Sequence, residues 1–250
     1  MNSFEMGKNL LFITALTIVC SINIYADQSM VDSLLSELET AKEDTNKVNI
    51  LNNLSKELQS SNPDKALNYA EQALKLSKKL SSLPDQALAK SGKKGIAISF
   101  NNIGIIHKNW GNYEKAIEYY LKALKIQEDL GNKDGIAGIL NNIGNIYIIW
   151  KNYTKALEFY SKSLQIVQAY NLRETIMYDY EVFSKTYSAM GNYQKAYEYY
   201  KLYSQMKDSL FNEEKSKEIG KLEARYEFEK AEADRKRIGE EQARIAAEQV

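Results

Sequence analysis

Residues 100–126 read FNNIGIIHKNWGNYEKAIEYYLKALKI, residues 140–166 read LNNIGNIYIIWKNYTKALEFYSKSLQI and residues 180–206 read YEVFSKTYSAMGNYQKAYEYYKLYSQM. The offset is 40 residues both times, without a gap. Asn112, Asn152 and Asn192 coincide, and so do Tyr113, Tyr153 and Tyr193. Ala116, Ala156 and Ala196 share a third slot, and Tyr120, Tyr160 and Tyr200 a fourth. A fixed period of this length marks a repeat architecture, in which no unit hides its apolar face alone.

Each copy reads as two helices. Phe100, Ile103, Gly104 and His107 follow the spacing of one helical face, and Ala116, Tyr120, Ala123, Leu124 and Gln127 do the same further on. Gly111-Asn112 breaks the pattern between them as a tight turn requires. Small residues recur at Gly104, Gly144 and Ser184 and at Ala116, Ala156 and Ala196, where helices are expected to touch. A glycine inside a helix costs about 1 kcal/mol against alanine, so these slots need close packing in return.

The pattern resembles the tetratricopeptide repeat family. NNIG at 101–104 and 141–144, GNYEKAIEYYLKAL at 111–124, KNYTKALEFYSKSL at 151–164 and GNYQKAYEYY at 191–200 carry the resemblance. The family's usual period is about 34 residues, so this chain is similar to its longer-helix variants. The third copy departs, with Glu181-Val182-Phe183-Ser184 in place of Asn-Asn-Ile-Gly, and the usual proline after the second helix is missing. The resemblance implies an all-α fold: a right-handed α-solenoid of helical hairpins, here followed by a long charged C-terminal helix. It also implies that the first helices line a concave groove.

A looser copy, LNNLSKELQSSNPDKALNYAEQALKL, runs from Leu51 to Leu76, with Pro63 well placed in a first helical turn. About ten extra residues separate it from the next copy, and Ser81 to Gly95 is their expected site. The solenoid therefore spans 51–211, with repeats near 51–80, 98–131, 138–171 and 178–211. Ahead of it, residues 27–50 form a capping region around the amphipathic MVDSLLSELETA. Residues 212–250 form a charged extended helix, a coiled coil or linker. Eighteen of the thirty residues from Glu213 to Gln242 are charged. Ile219, Leu222 and Tyr226 make a short apolar stripe, and Ala224, Ala231, Ile238 and Ile245 recur every seven residues with poor companions.

Residues 1–26 differ. LLFITALTIVC at 10–20 is an uncharged run, too short to span a bilayer comfortably and suited to a signal peptide cut after Ala26. The expectation is export, to the periplasm or the non-cytoplasmic side of a membrane.

Composition narrows the chemistry. Thirty-three basic and thirty-three acidic side chains cancel, so nucleic acid is not an expected partner. One Cys and one His exclude a disulfide framework and a Cys/His zinc site. No catalytic residue, metal or cofactor is expected. His107 stands where the other copies have Tyr147 and Tyr187 and reads as a packed side chain. Trp110 and Trp150 read as packing at a repeat junction. Gly92-Lys93-Lys94-Gly95 lacks the spacing of a phosphate loop and reads as a helix entry.

The polar residues that invite a role are the asparagine pairs Asn52 and Asn53, Asn101 and Asn102, and Asn141 and Asn142. Asn is a modest helix former, so tandem pairs need a reason. A carboxamide both donates and accepts, which suits a peptide backbone of any sequence. Asn145, Lys56, Lys108 and Lys185 lie nearby and could read acidic groups, and Ile105, Ile148 and Ile149 supply apolar contact. The competing reading is that one Asn of each pair bonds the neighbouring repeat. The expected function is a non-catalytic scaffold holding a protein or peptide segment in the groove. The alternative is the sensor region of a membrane signalling protein whose span and output domain follow residue 250. Membrane contact is expected only through the leader or such a span, and self-association through the C-terminal helix.

Overall fold

The computed structural model describes residues 29–248, with side chains at all of them except 234 and 240–248. The expected signal peptide and the side chain of Ile245 lie outside the described residues. Helix α1 covers 29–40. It is followed by α2 (Thr45–Leu58), α3 (Pro63–Ser81), α4 (Gln86–Asn109), α5 (Tyr113–Asp129), α6 (Lys133–Ile149), α7 (Tyr153–Ala169), α8 (Arg173–Ala189) and α9 (Tyr193–Glu248). No strand occurs among the described residues. The array of helical hairpins expected of the chain is what they form. Two compact units divide between Asn171 and Leu172. None of the described helices is long and apolar enough to cross a membrane.

Local chemistry sets the ends of the helices. Asp44, Asn62, Asp85, Asn132, Asn152 and Asn192 each accept from backbone N–H groups in the first turn that follows. From α4 onward each turn carries one residue of positive φ, among them Gly111 (77°), Gly131 (66°), Asn171 (51°) and Gly191 (75°). Lys151 takes the same position with φ 55°, without glycine's freedom.

In the first unit, α1 buries Val31 and Leu34 against Ile50 and Leu54 of α2, as a cap should. Further along, Ala116, Tyr120 and Ala123 of α5 pack on Ile139, Ile143 and Ile146 of α6. The small slots work by admitting a ring. A Cβ on Gly104 would lie 2.6 Å from Tyr120, and one on Gly144 2.5 Å from Tyr160. In the second unit Ser184 donates to the Ala196 carbonyl at 2.8 Å, and Tyr200 is 57% exposed where Tyr120 and Tyr160 are buried.

Two expectations are corrected. Residues 92–95 are not a helix entry but lie inside α4. A Cβ on Gly92 would clash with the Ser81 backbone and one on Gly95 with the Ser77 hydroxyl, so the glycines let α4 lie close on α3. The inserted residues are mostly helix: α4 has 24 residues against 17 in α6, and α3 has 19 against 17 in α5. Nor does anything break at 211–212, because the last repeat's second helix and the charged segment are one element.

Candidate functional site

The asparagine pairs sit on the first helices of successive hairpins, α2, α4 and α6. Asn102 Nδ2 on α4 donates to the Asn52 carbonyl oxygen on α2 at 3.0 Å. Asn142 Nδ2 on α6 donates to Asn101 Oδ1 on α4 at 3.0 Å. The second asparagine of each pair thus reaches back to the first asparagine of the preceding repeat. Asn52 Oδ1 also accepts from Ser99, a buried hydroxyl that the sequence reading passed over. Asn109, seven residues beyond Asn102, donates to the Gln59 carbonyl at 3.5 Å. That helical spacing from Asn102 was the signal available for it.

This ladder corrects half of the expected groove. Asn52, Asn102 and Asn141 are buried, with 2–5% exposure. Asn52 and Asn102 bond along the array rather than outward, because amides enclosed between helices must be satisfied there. Asn145 is also committed: its Oδ1 accepts from the Tyr160 hydroxyl at 2.6 Å. Lys185, in the second unit, is paired with Glu181 at 2.7 Å, and that bond raises its pKa.

Five expected residues remain accessible. Asn53 and Lys56 are exposed on α2, with Lys56 at 4.0 Å from Glu57. Asn101 and Asn142 are half-buried, and their mutual bond leaves Asn101 Nδ2 and Asn142 Oδ1 without a partner among the described residues. Lys108 is half-buried and makes no ion pair among the described residues. Burial holds its ammonium below the ordinary value of 10.5. Two helical turns, about 10 Å, separate it from Asn101 on the same face of α4, with half-buried Ile105 between. An amide pair, an apolar step and an uncompensated cation therefore follow one another along α4.

His107 takes no part in this face. It is buried, stacked on Tyr119 with ring centroids 5.5 Å apart and edge-on to Trp110 at 5.4 Å. Desolvation, with the Lys115 charge second, holds its pKa below 6.5. Tyr147 stacks on Phe159 in the same way at 5.4 Å. No group of three His, Cys, Asp or Glu among the described residues is placed to hold a metal.

A sequence model of the tetratricopeptide repeat matches residues 95–169 and, overlapping them, 135–209. No curated protein matches the chain. Similar solved structures include aspartyl phosphate phosphatase F from Bacillus subtilis, 17% identical, covering 83% of this chain and 55% of that one with a TM-score of 0.62. BtubC from P. vanneervenii is 23% identical, covering 83% and 88%, with a TM-score of 0.55. The Rap conjugation gene regulator of plasmid pLS20, in complex with the Phr* peptide, is 18% identical, covering 82% and 52%, with a TM-score of 0.58. At these identities the likeness is one of fold. The chain spans about half the length of the phosphatase and of the Rap regulator.

Proposed function

We propose that this chain, a protein of the tetratricopeptide repeat family, is a non-catalytic scaffold that holds an extended peptide segment across α4 and α6. The observation that carries the reading is the open face of α4. Asn101 Nδ2 and Asn142 Oδ1 offer a donor and an acceptor side by side, as a peptide unit requires. Ile105 supplies apolar contact, and Lys108 is a cation that makes no ion pair among the described residues. The spacing of about 10 Å between amide pair and ammonium corresponds to three residues of extended chain. The favoured ligand therefore carries an acidic group about three residues from the peptide unit that the asparagines hold. The pLS20 Rap regulator, similar in fold, is itself in complex with a peptide, which supports the assignment.

The test is selection of a random peptide library on the full chain. Enrichment of acidic peptides, reversed by Lys108→Glu and lost in Asn101→Ala/Asn142→Ala at unchanged melting temperature, is the expected result. Enrichment indifferent to all three changes sinks the proposal. We further place the protein outside the cytoplasm, on the strength of the apolar run at 10–20; an alkaline phosphatase fusion that stays inactive would refute that placement. A sensor role in a longer membrane protein is favoured by α9, which runs on far past Glu213, where Arg173 of α8 is bonded to it. An apolar stretch of about 20 residues encoded beyond Val250 would support that second reading.

A further inference from the structure

Within the second unit α9 is held by α8 on one side only. Tyr199 stacks on Phe183 with centroids 4.7 Å apart, and Arg173 of α8 bonds Ser209 and Glu213 of α9. Beyond Glu213 the helix continues to residue 248, a run of roughly 50 Å without a neighbour among the described residues of that unit. A mostly polar helix of that length gains little from its own propensity and is normally stabilised by packing.

On the face turned away from α8 lies a row of large exposed side chains. Tyr193, Tyr197 and Tyr200 are 72, 69 and 57% exposed. Ile219, Leu222 and Tyr226 are 48, 61 and 63% exposed, with Phe211 between the triads at 61%. At about 100° per residue all seven fall within an arc of about 100°. The first triad has a counterpart in the first unit. Tyr113, Ile117 and Tyr120 occupy the same slots on α5; there Tyr120 clusters with Ile139, Ile143 and Ile146 of the next helix, α6, and Tyr113 and Ile117 pack against that cluster. The α8–α9 hairpin presents the same surface with no helix on it among the described residues of its unit.

The spacings suggest what fits. From Tyr193 the first triad steps by four and then three residues; the second steps by three and then four. Reversed in direction, the two coincide. An antiparallel pairing about the Ser209–Leu210 bond sets Tyr193 against Tyr226, Tyr197 against Leu222 and Tyr200 against Ile219. The same register brings Lys207 of one helix within two residues of level with Glu214 of the other, on the same flank. Seven side chains more than half exposed on average hold about 800 Å² of accessible area per copy, the size of a standard protein–protein interface.

We propose that the chain forms a symmetric dimer in which residues 219–226 of each copy lie antiparallel across Tyr193, Tyr197 and Tyr200 of the other. The second copy supplies a helix to the uncovered face of the α8–α9 hairpin. Because α9 is continuous from 193 to 248, the covering segment cannot fold back on its own hairpin, so the exchange is between chains. The reading is independent of the peptide site, which lies in the first unit.

The test uses the full chain with Cys20→Ser as background. Sedimentation is expected to give twice the chain mass at tens of micromolar, and Leu222→Lys to raise the dissociation constant at least tenfold. Mixed Tyr197→Cys and Leu222→Cys chains should form a disulfide dimer on mild oxidation, while neither does so alone. A monomer at all concentrations overturns the proposal. So does self-cross-linking of Leu222→Cys alone, which indicates parallel helices, or a monomeric internal disulfide in the double-cysteine chain, which indicates a folded-back α9. Tyr197 and Leu222 are both exposed, so substitutions there leave the packed part of the hairpin intact.

Discussion

Replacing Gly144 with alanine should destabilise the protein, while the same change at Gly138, six residues earlier on α6, should stabilise it. Both positions lie inside one helix, so alanine gains about 1 kcal/mol of helix propensity at each. At Gly138 a Cβ meets nothing within 4 Å, and the gain stands alone. At Gly144 the new methyl would lie 2.5 Å from Tyr160 Cε1 and 2.8 Å from Cδ1. Ordinary carbon contacts are near 3.5–4.0 Å, so the ring must retreat by about 1 Å. It has little room to do so. Tyr160 is 1% exposed, and its hydroxyl is bonded to Asn145. Overpacking costs about 1–3 kcal/mol and a strained hydrogen bond about 1 more. Set against the propensity gain, the net loss is about 2 kcal/mol. For a chain of this size that lowers the melting temperature by about 4–8 °C, against a rise of about 2–4 °C for Gly138→Ala. Thermal unfolding followed by far-ultraviolet circular dichroism reads both. If Gly144→Ala stabilises as much as Gly138→Ala, the glycine-against-ring account of this repeat is wrong.

The two buried tyrosines should respond differently to loss of the hydroxyl. Tyr160→Phe removes the bond to Asn145 and should cost about 1 kcal/mol in urea unfolding. Tyr120 has Ile105 in the place of Asn145 and its buried hydroxyl has no partner among the described residues, so Tyr120→Phe should be neutral or stabilising. Lys151→Gly relieves a side chain held at φ 55° and should raise stability by about 0.5–1 kcal/mol, measurable as a higher melting temperature. His107 has a folded pKa below its ordinary value, so its neutral form is favoured by the fold. The stability it contributes is complete above about pH 6.5 and is lost as the pH falls below that. His107→Tyr, which matches Tyr147 and Tyr187, should therefore lose less stability between pH 7 and pH 5 than the parent chain; equal losses would count against this assignment.

The 40-residue period, the two helices of each unit and the turns at Gly111, Lys151 and Gly191 could all be read from the chain. Each rests on residues within one hairpin, and helical periodicity and turn chemistry are properties of neighbours in sequence. The small slots were readable too, Gly104 and Gly144 among them, as places of close packing; that each admits a tyrosine ring, Tyr120 and Tyr160, was not. What those slots face was decided by the next element. Tyr120 is covered and Tyr200 is exposed, although the two are equivalent in the repeat, because α6 follows α5 while α9 simply continues. The asparagines make the same point: Asn101 and Asn141 share a column, yet Asn141 is buried and Asn101 is half open. Asn102 and Asn142 both bond backwards, but one reaches a carbonyl and the other a side chain. Exposure and hydrogen-bond direction depend on how closely successive first helices approach. That distance is set by packing between repeats, including the lengthened α3 and α4, and no residue's own spacing records it.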